Sequence, residues 1–339
     1  MIRLRRVLVL SVTLVALLAG AADAWTRIPA TVFATLPDGA AHPEGITADA
    51  DGNIYVATFE ATKPAGTPGE MFVFNHSGRL LRRVVIPGSD SKLLDLAFHP
   101  TTGALLVIDF GHQRVLRVDP FTGANTPFTQ LPPTAGPNVL TFDKLGNVYI
   151  SDSFNGTIWR TGPLGGAAVA WKTDTLLAPN GVPPFGANGL AFNKAESILF
   201  VANTSTDTIV QIQVRPGYVA GAATEFTNSV NGGDGLIIDG DDNLWIAANQ
   251  ADEIVVVDPT GRAIAKLGDF DGLDEQGRPV NLLFPASLVR HGNFIYVTNL
   301  AIDLRLFGHN TIDAQWAAEV KRYTISRLPA TIPPVRGLK

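Results

Sequence analysis

The sequence predicts an all-β chain folded as a six-bladed β-propeller, with an N-terminal strand closing the last blade. Two observations carry this. A small or acid/amide residue followed by an apolar run recurs six times, at steps of 43 to 52 residues, a blade-sized period. Behind it comes a second motif, x-Gly-Asn or an equivalent turn followed by β-branched and aromatic residues, which reads as a hairpin. No long amphipathic helical pattern competes with them.

Taken in chain order, residues 1–24 read as targeting. Arg3, Arg5 and Arg6 precede an apolar run from Val7 to Ala22, short of the ~20 residues a membrane span needs. Ala22-Asp23-Ala24 is an A-x-A cleavage signal, so residues 1–24 are expected to be a signal peptide and the mature chain secreted or periplasmic. Residues 25–327 are expected to form the propeller. Ala30 to Leu36 supplies the outer strand of the last blade. The first motif falls at Glu44, Asp95, Asn138, Asn188, Asp234 and Ala286. The second runs from Asp51 to Val56, Leu145 to Ile150, Asp241 to Ile246 and His291 to Val297. Third strands follow at Val115 to Val118, Thr157 to Arg160, Thr208 to Val214 and Ile254 to Val257. The last repeat is expected to place its strands near Ser287, Ile295 and Val320. Residues 328–339, with three prolines, read as a disordered tail. Closing the ring removes the exposed sheet edges.

Composition narrows the function. The 339 residues are 46% hydrophobic and 17% charged, with a net charge of -5. No basic stripe follows the N-terminus, which argues against a nucleic-acid partner; once the leader is removed, no membrane partner is expected either. Cysteine is absent, so any metal must be held by oxygen or imidazole. The six histidines show no metal spacing, although strand direction lets His42, His112 and His309 reach the mouth described next. No Gly-x-Ser-x-Gly or phosphate loop is found, so neither a serine triad nor a nucleotide site is supported.

In a propeller the first strand of each blade lines the central channel and its first residue stands at one mouth. Glu44, Asp95, Asn138, Asn188 and Asp234 converge there. Unpaired buried carboxylates are costly, and a hard cation with oxygen ligands would satisfy them together. The second strand returns to the same mouth, ending at Thr58, Asp109, Asp152, Asn203, Asn249 and Asn299. These form an outer polar ring that either orients the inner one or satisfies loop amides. The long loops 60–70 and 301–316 are expected to emerge at this mouth and shape a pocket.

Pro43-Glu44-Gly45, Asn138, Asn188-Gly189-Leu190 and Asp234-Gly235 resemble the motifs of the gluconolactonase, senescence-marker-protein and luciferin-regenerating-enzyme family. The likeness runs over nearly the whole mature chain. It implies one divalent metal held by Glu44, Asn138, Asn188 and Asp234, with Ca²⁺ favoured by the all-oxygen set. It also implies a small-molecule substrate, a lactone or related ester, that is hydrolysed. Asp234 is the first candidate for the base acting on water, with Asp95 or Asp152 in reserve. Sugar-lactone members often carry an Arg shortly before the blade-three Asn and an Asp after it. Here Ala135-Gly136-Pro137 precede Asn138 and Val139 follows, which implies a less polar pocket. Two other readings stay open: a non-catalytic NHL-type binding scaffold, and a metal-independent enzyme like strictosidine synthase.

Overall fold

A computed structural model of the chain describes residues 27–333. The expected signal peptide, residues 1–24, and the end of the expected tail, residues 334–339, lie outside the described residues.

The described residues form six four-stranded antiparallel sheets and one two-stranded ribbon, Phe270–Leu273 with Pro279–Asn281. Blade one is built from Pro43–Ala48, Ile54–Thr58, Gly69–Phe74 and Leu80–Ile86, and blades two to five repeat this meander. Blade six takes Pro285–His291, Phe294–Asn299 and Thr324–Pro329 from the C-terminal end. Its outer strand is Thr31–Thr35, paired antiparallel with Thr324–Pro329. The inner strand of each blade packs on that of the next, and the sixth packs on the first. The ring is therefore closed by the N-terminal strand that the sequence predicts.

Why these residues make blades follows from strand alternation, which sends neighbouring side chains to opposite faces. Blades stack face to face, so both faces of the middle strands are apolar. Between blades one and two, Tyr55, Ala57, Met71 and Val73 pack with Leu105, Val107 and Leu116. The Gly-Asn turns are braced from before the hairpin. Asp49 accepts from the Asn53 amide nitrogen at 2.8 Å and from the Tyr55 hydroxyl at 3.0 Å. Asp143 does the same for Asn147 and Tyr149, and Asp239 for Asn243 and Trp245.

Two boundaries differ from expectation. The third strand of blade six is Thr324–Pro329, not the neighbourhood of Val320, which follows a six-residue helix, Ile312–Ala317. The ordered chain also passes residue 327. Leu328 is buried, and Ala330 N donates to Asn293 O at 2.8 Å. In both cases strand pairing to Phe294–Asn299 overrides the local proline and loop signals. Among the described residues Ile312–Ala317 is the only α-helix, and no helix is long and apolar enough to cross a membrane.

Each inner strand carries the same irregularity near its start. In blade one Pro43 pairs with Thr58, but Ile46 pairs with Val56, so the register slips across Glu44 and Gly45. The slip recurs in the other five blades. Such bulges re-aim a side chain, and here they set what faces the mouth of the channel.

Candidate active site

The shared register aligns Glu44, Leu94, Asn138, Asn188, Asp234 and Ala286 as equivalent positions, one after the first paired residue of each inner strand. The first five line a pocket at one mouth of the channel, and all six are buried. This corrects the expectation for blade two, where Leu94, not Asp95, takes the mouth position. Asp95 sits one step deeper, at the level of Gly45, Gly189 and Gly235. A Cβ on Gly45 would collide with the Leu94 carbonyl, and one on Gly189 with that of Asp234. The glycine after Glu44, Asn188 and Asp234 is thus what lets adjacent inner strands approach.

The two amides are held in one orientation. Asn138 Nδ2 donates to Ser153 Oγ at 3.1 Å, and that hydroxyl donates onward to Ala187 O at 2.7 Å. Asn188 Nδ2 donates to Thr204 Oγ1 at 3.0 Å, which donates to Gly233 O at 2.8 Å. Each hydroxyl has one proton, already given to a carbonyl, so it can only accept from the amide. Asn138 Oδ1 and Asn188 Oδ1 are left buried without a partner, as is Asn249 Oδ1, whose Nδ2 donates to Asp234 Oδ2 at 3.0 Å. Buried acceptors without donors are rare and call for a ligand or ion.

The carboxylates tell the same story electrostatically. Burial, then repulsion from Asp234 and Asp95, pushes the Glu44 carboxyl well above its usual range. Burial raises Asp234 to about 7, against the opposing Asn249 hydrogen bond. Asp95 is likewise raised to about 7 by burial, although the Leu140 and Leu96 amides donate to it at 2.9 and 2.8 Å. A cation among them would relieve both desolvation and repulsion. Among the described residues no group of three or more His, Cys, Asp or Glu could hold a metal. Any ion at this mouth must therefore draw on the Asn138 and Asn188 oxygens as well as the Glu44 and Asp234 carboxylates, and their orphaned state fits that role.

The outer ring is mostly not at the pocket. Asp109 is engaged by Arg114 and His112, and Asn203 donates to Leu176 O and Ala178 O. Asn299 bonds to Thr324 and Ser326, and Thr58 reaches back to Glu70 O. Asp152 accepts from Gly136 N, Phe154 N and Asn155 N through Oδ1 and from Trp159 Nε1 through Oδ2. It braces a loop and does not line the cavity, so its reserve role as a base is not supported by position. The residue after each of these points to the mouth instead, because strand neighbours face opposite ways. Phe59, Thr204 and Leu300 line it, and Ser153 stands behind Asn138; in blade five the paired residue is Ala248, so Asn249 itself takes this place. Of the expected ring only Asn249 lines the cavity.

None of the three candidate histidines lines the cavity. His42 is buried, with Nδ1 3.1 Å from Leu300 O, and burial lowers its pKa. Of the two long loops, 301–316 contributes Ile302, Leu304 and Phe307, whereas 60–70 contributes nothing. Sequence reasoning missed Phe185 and Phe284, which enter from loops before the inner strands. Phe284 is held at a positive φ of 46°, a conformation costly for an aromatic residue. Asp252 Oδ1, accepting from Phe284 N at 2.6 Å, clamps it there.

These features define a closed six-bladed propeller with a buried, oxygen-rich pocket at one end of its channel. Residues 97–268, just over half of the chain, match the family described as SMP-30/Gluconolactonase/LRE-like region, and the chain belongs to that family. It is 31% identical over 168 residues to lactonase drp35 of Staphylococcus haemolyticus (strain JCSC1435), covering 47% of this chain and 49% of that one. The chain thus matches about half the length of that relative. Among solved structures, the calcium-binding protein regucalcin from Agrobacterium tumefaciens str. C58 has a TM-score of 0.63 at 16% identity, covering 92% of this chain and 98% of that one. A gluconolactonase from Xanthomonas campestris has a TM-score of 0.62 at 15% identity, covering 89% and 95%. At these identities the structures establish the fold.

Proposed function

We propose that the protein hydrolyses lactones or related esters at a divalent-cation site formed by Glu44, Asn138, Asn188 and Asp234. The observation that carries this is the pair of orphaned, locked amide oxygens of Asn138 and Asn188 beside two buried carboxylates. The lactonase match and the family's description point the same way. A hard ion such as Ca²⁺, when bound, supplies the positive charge that polarises an acyl carbonyl.

The chain's own residues do the rest. Glu44 and Asp234 balance the charge, and Ser153 and Thr204 hold the two amides in place. Asp234, fixed through Oδ2 by Asn249, takes the proton of the attacking water. The water oxygen bonds to the acyl carbon, the acyl carbon–oxygen bond breaks, and the proton passes to the departing alkoxide. Asp95 is the weaker candidate base, because both its oxygens already accept backbone amides.

The test is a calcium titration of chelator-treated protein together with a lactone and aryl-ester panel. The expected result is binding tighter than millimolar, with turnover lost on stripping and restored by Ca²⁺. Absence of binding favours the scaffold reading, and turnover that survives chelator favours the metal-independent one. We also propose that the reaction occurs outside the cytoplasm, on the strength of the residue 1–24 pattern. N-terminal sequencing of protein recovered from its native host checks this, with Trp25 the expected first residue.

A further inference from the structure

Apart from the four oxygen ligands, Thr204 and Asn249, the lining of the pocket is apolar. Leu94 replaces the polar residue that blades one, three, four and five present at the mouth, and Phe59, Phe185, Phe284, Leu304 and Phe307 continue the surface. A chain of edge-on and tilted aromatic rings carries it outward. Phe59 lies 5.7 Å from Phe110, Phe110 lies 5.7 Å from Phe154, and Phe154 lies 5.8 Å from Phe185. At the rim Phe307 is 43% exposed and Phe154 45% exposed, so apolar surface faces water where a substrate would enter.

With an ion held by Glu44, Asn138, Asn188 and Asp234, few polar groups of the pocket are left over to recognise hydroxyls. No Lys, Arg or His lines it, and its only charged side chains are Glu44 and Asp234. Each lining amide already donates once, Asn138 to Ser153, Asn188 to Thr204 and Asn249 to Asp234, and the Thr204 hydroxyl proton goes to Gly233 O. A polyhydroxylated ring would lose its water against Phe and Leu side chains, and each hydroxyl left unpaired there weakens binding. An anionic substrate would meet two carboxylates and no cation.

We propose that the site takes lactones or esters whose non-reacting part is an alkyl or aryl group, and discriminates against sugar lactones. This rests on the hydrolytic reading above. The acyl carbon sits at the oxygen ligands and the tail lies along Leu94, Leu304 and Phe307.

The experiment compares kcat/KM for γ-lactones whose alkyl substituent grows one methylene at a time from methyl, with glucono-δ-lactone alongside. At about 0.8 kcal/mol per buried methylene, kcat/KM should rise about fourfold per step until the wall is covered. The sugar lactone should fall below the methyl compound. Phe307→Ser, at a rim position that tolerates a polar side chain, should flatten the series at its long end. Binding of a pentyl-substituted δ-lactam and of a gluconolactam, neither of which is readily hydrolysed, is measured in parallel by calorimetry. A flat series, a preference for the sugar lactone, or tighter binding of the gluconolactam overturns the inference while leaving the hydrolase reading intact. If the alkyl lactam binds and no lactone or aryl ester is turned over, the apolar site stands and the hydrolase reading fails.

Discussion

Blades four and two bring the same bulge to the same mouth and do opposite things with it. In blade four Asn188 turns an orphaned carbonyl oxygen into the pocket, locked by Thr204. In blade two Leu94 turns an isobutyl group in, backed by Phe59 and Phe110. The residue after the second strand follows suit: Ser153, Thr204 and Asn249 behind the polar positions, Phe59 and Leu300 flanking the apolar side. One repeated backbone geometry thus presents polar positions suited to an ion and, at Leu94 between Glu44 and Asn138, an apolar one suited to a substrate. The division of labour lies in side chains alone.

That comparison can be broken from the polar side first. Asp234→Asn should reduce turnover by on the order of 10³-fold while leaving the melting temperature of the metal-free protein unchanged or higher, because one repelling buried carboxylate is removed. Wild-type rates in this variant would remove Asp234 from the chemistry. Glu44→Gln should weaken calcium affinity by on the order of 100-fold, since it deletes half the neutralising charge; a calorimetric titration reads it directly.

Ser153→Ala should have a smaller effect, roughly tenfold in calcium affinity, by freeing the Asn138 amide to rotate. Restoration by Ser153→Thr would separate positioning from general destabilisation. On the apolar side, Leu94→Ala should lower kcat/KM for alkyl lactones by about tenfold without changing calcium affinity. An equal loss of calcium affinity would mean that the polar and apolar positions are not independent.

The metal-free protein should also show a defined pH response. Glu44, Asp95 and Asp234 hold protons more tightly folded than unfolded, and unfolded carboxyls ionise near pH ~4. Their contribution to stability should therefore be greatest below pH ~4 and should fall as the pH rises to about 7, where Asp95 and Asp234 themselves ionise. Saturating Ca²⁺ should flatten most of that slope. Asp252, also raised to about 7 by burial but away from the pocket, should keep its share. Melting temperatures across pH with and without Ca²⁺ provide the check.

What the sequence determined by itself is the ring and the polar residues Glu44, Asn138, Asn188 and Asp234 at its mouth. Six recurrences of a strand-pair pattern leave one way to bury both faces of every middle strand, and the Gly after Glu44, Asn188 and Asp234 marks where neighbouring backbones must touch. The tertiary structure alone decided which residue of each strand faces the mouth. Strand side chains alternate, so one residue of register separates Leu94 from Asp95 and Ser153 from Asp152. Leu93-Leu94-Asp95-Leu96 reads equally well either way until the bulge and its pairing to Asp109 are seen. It alone also brought Phe185 and Phe284 to the pocket. Loop residues carry no periodicity to read, and their positions come from contacts such as the Asp252 clamp on Phe284, whose partners lie far apart in the chain.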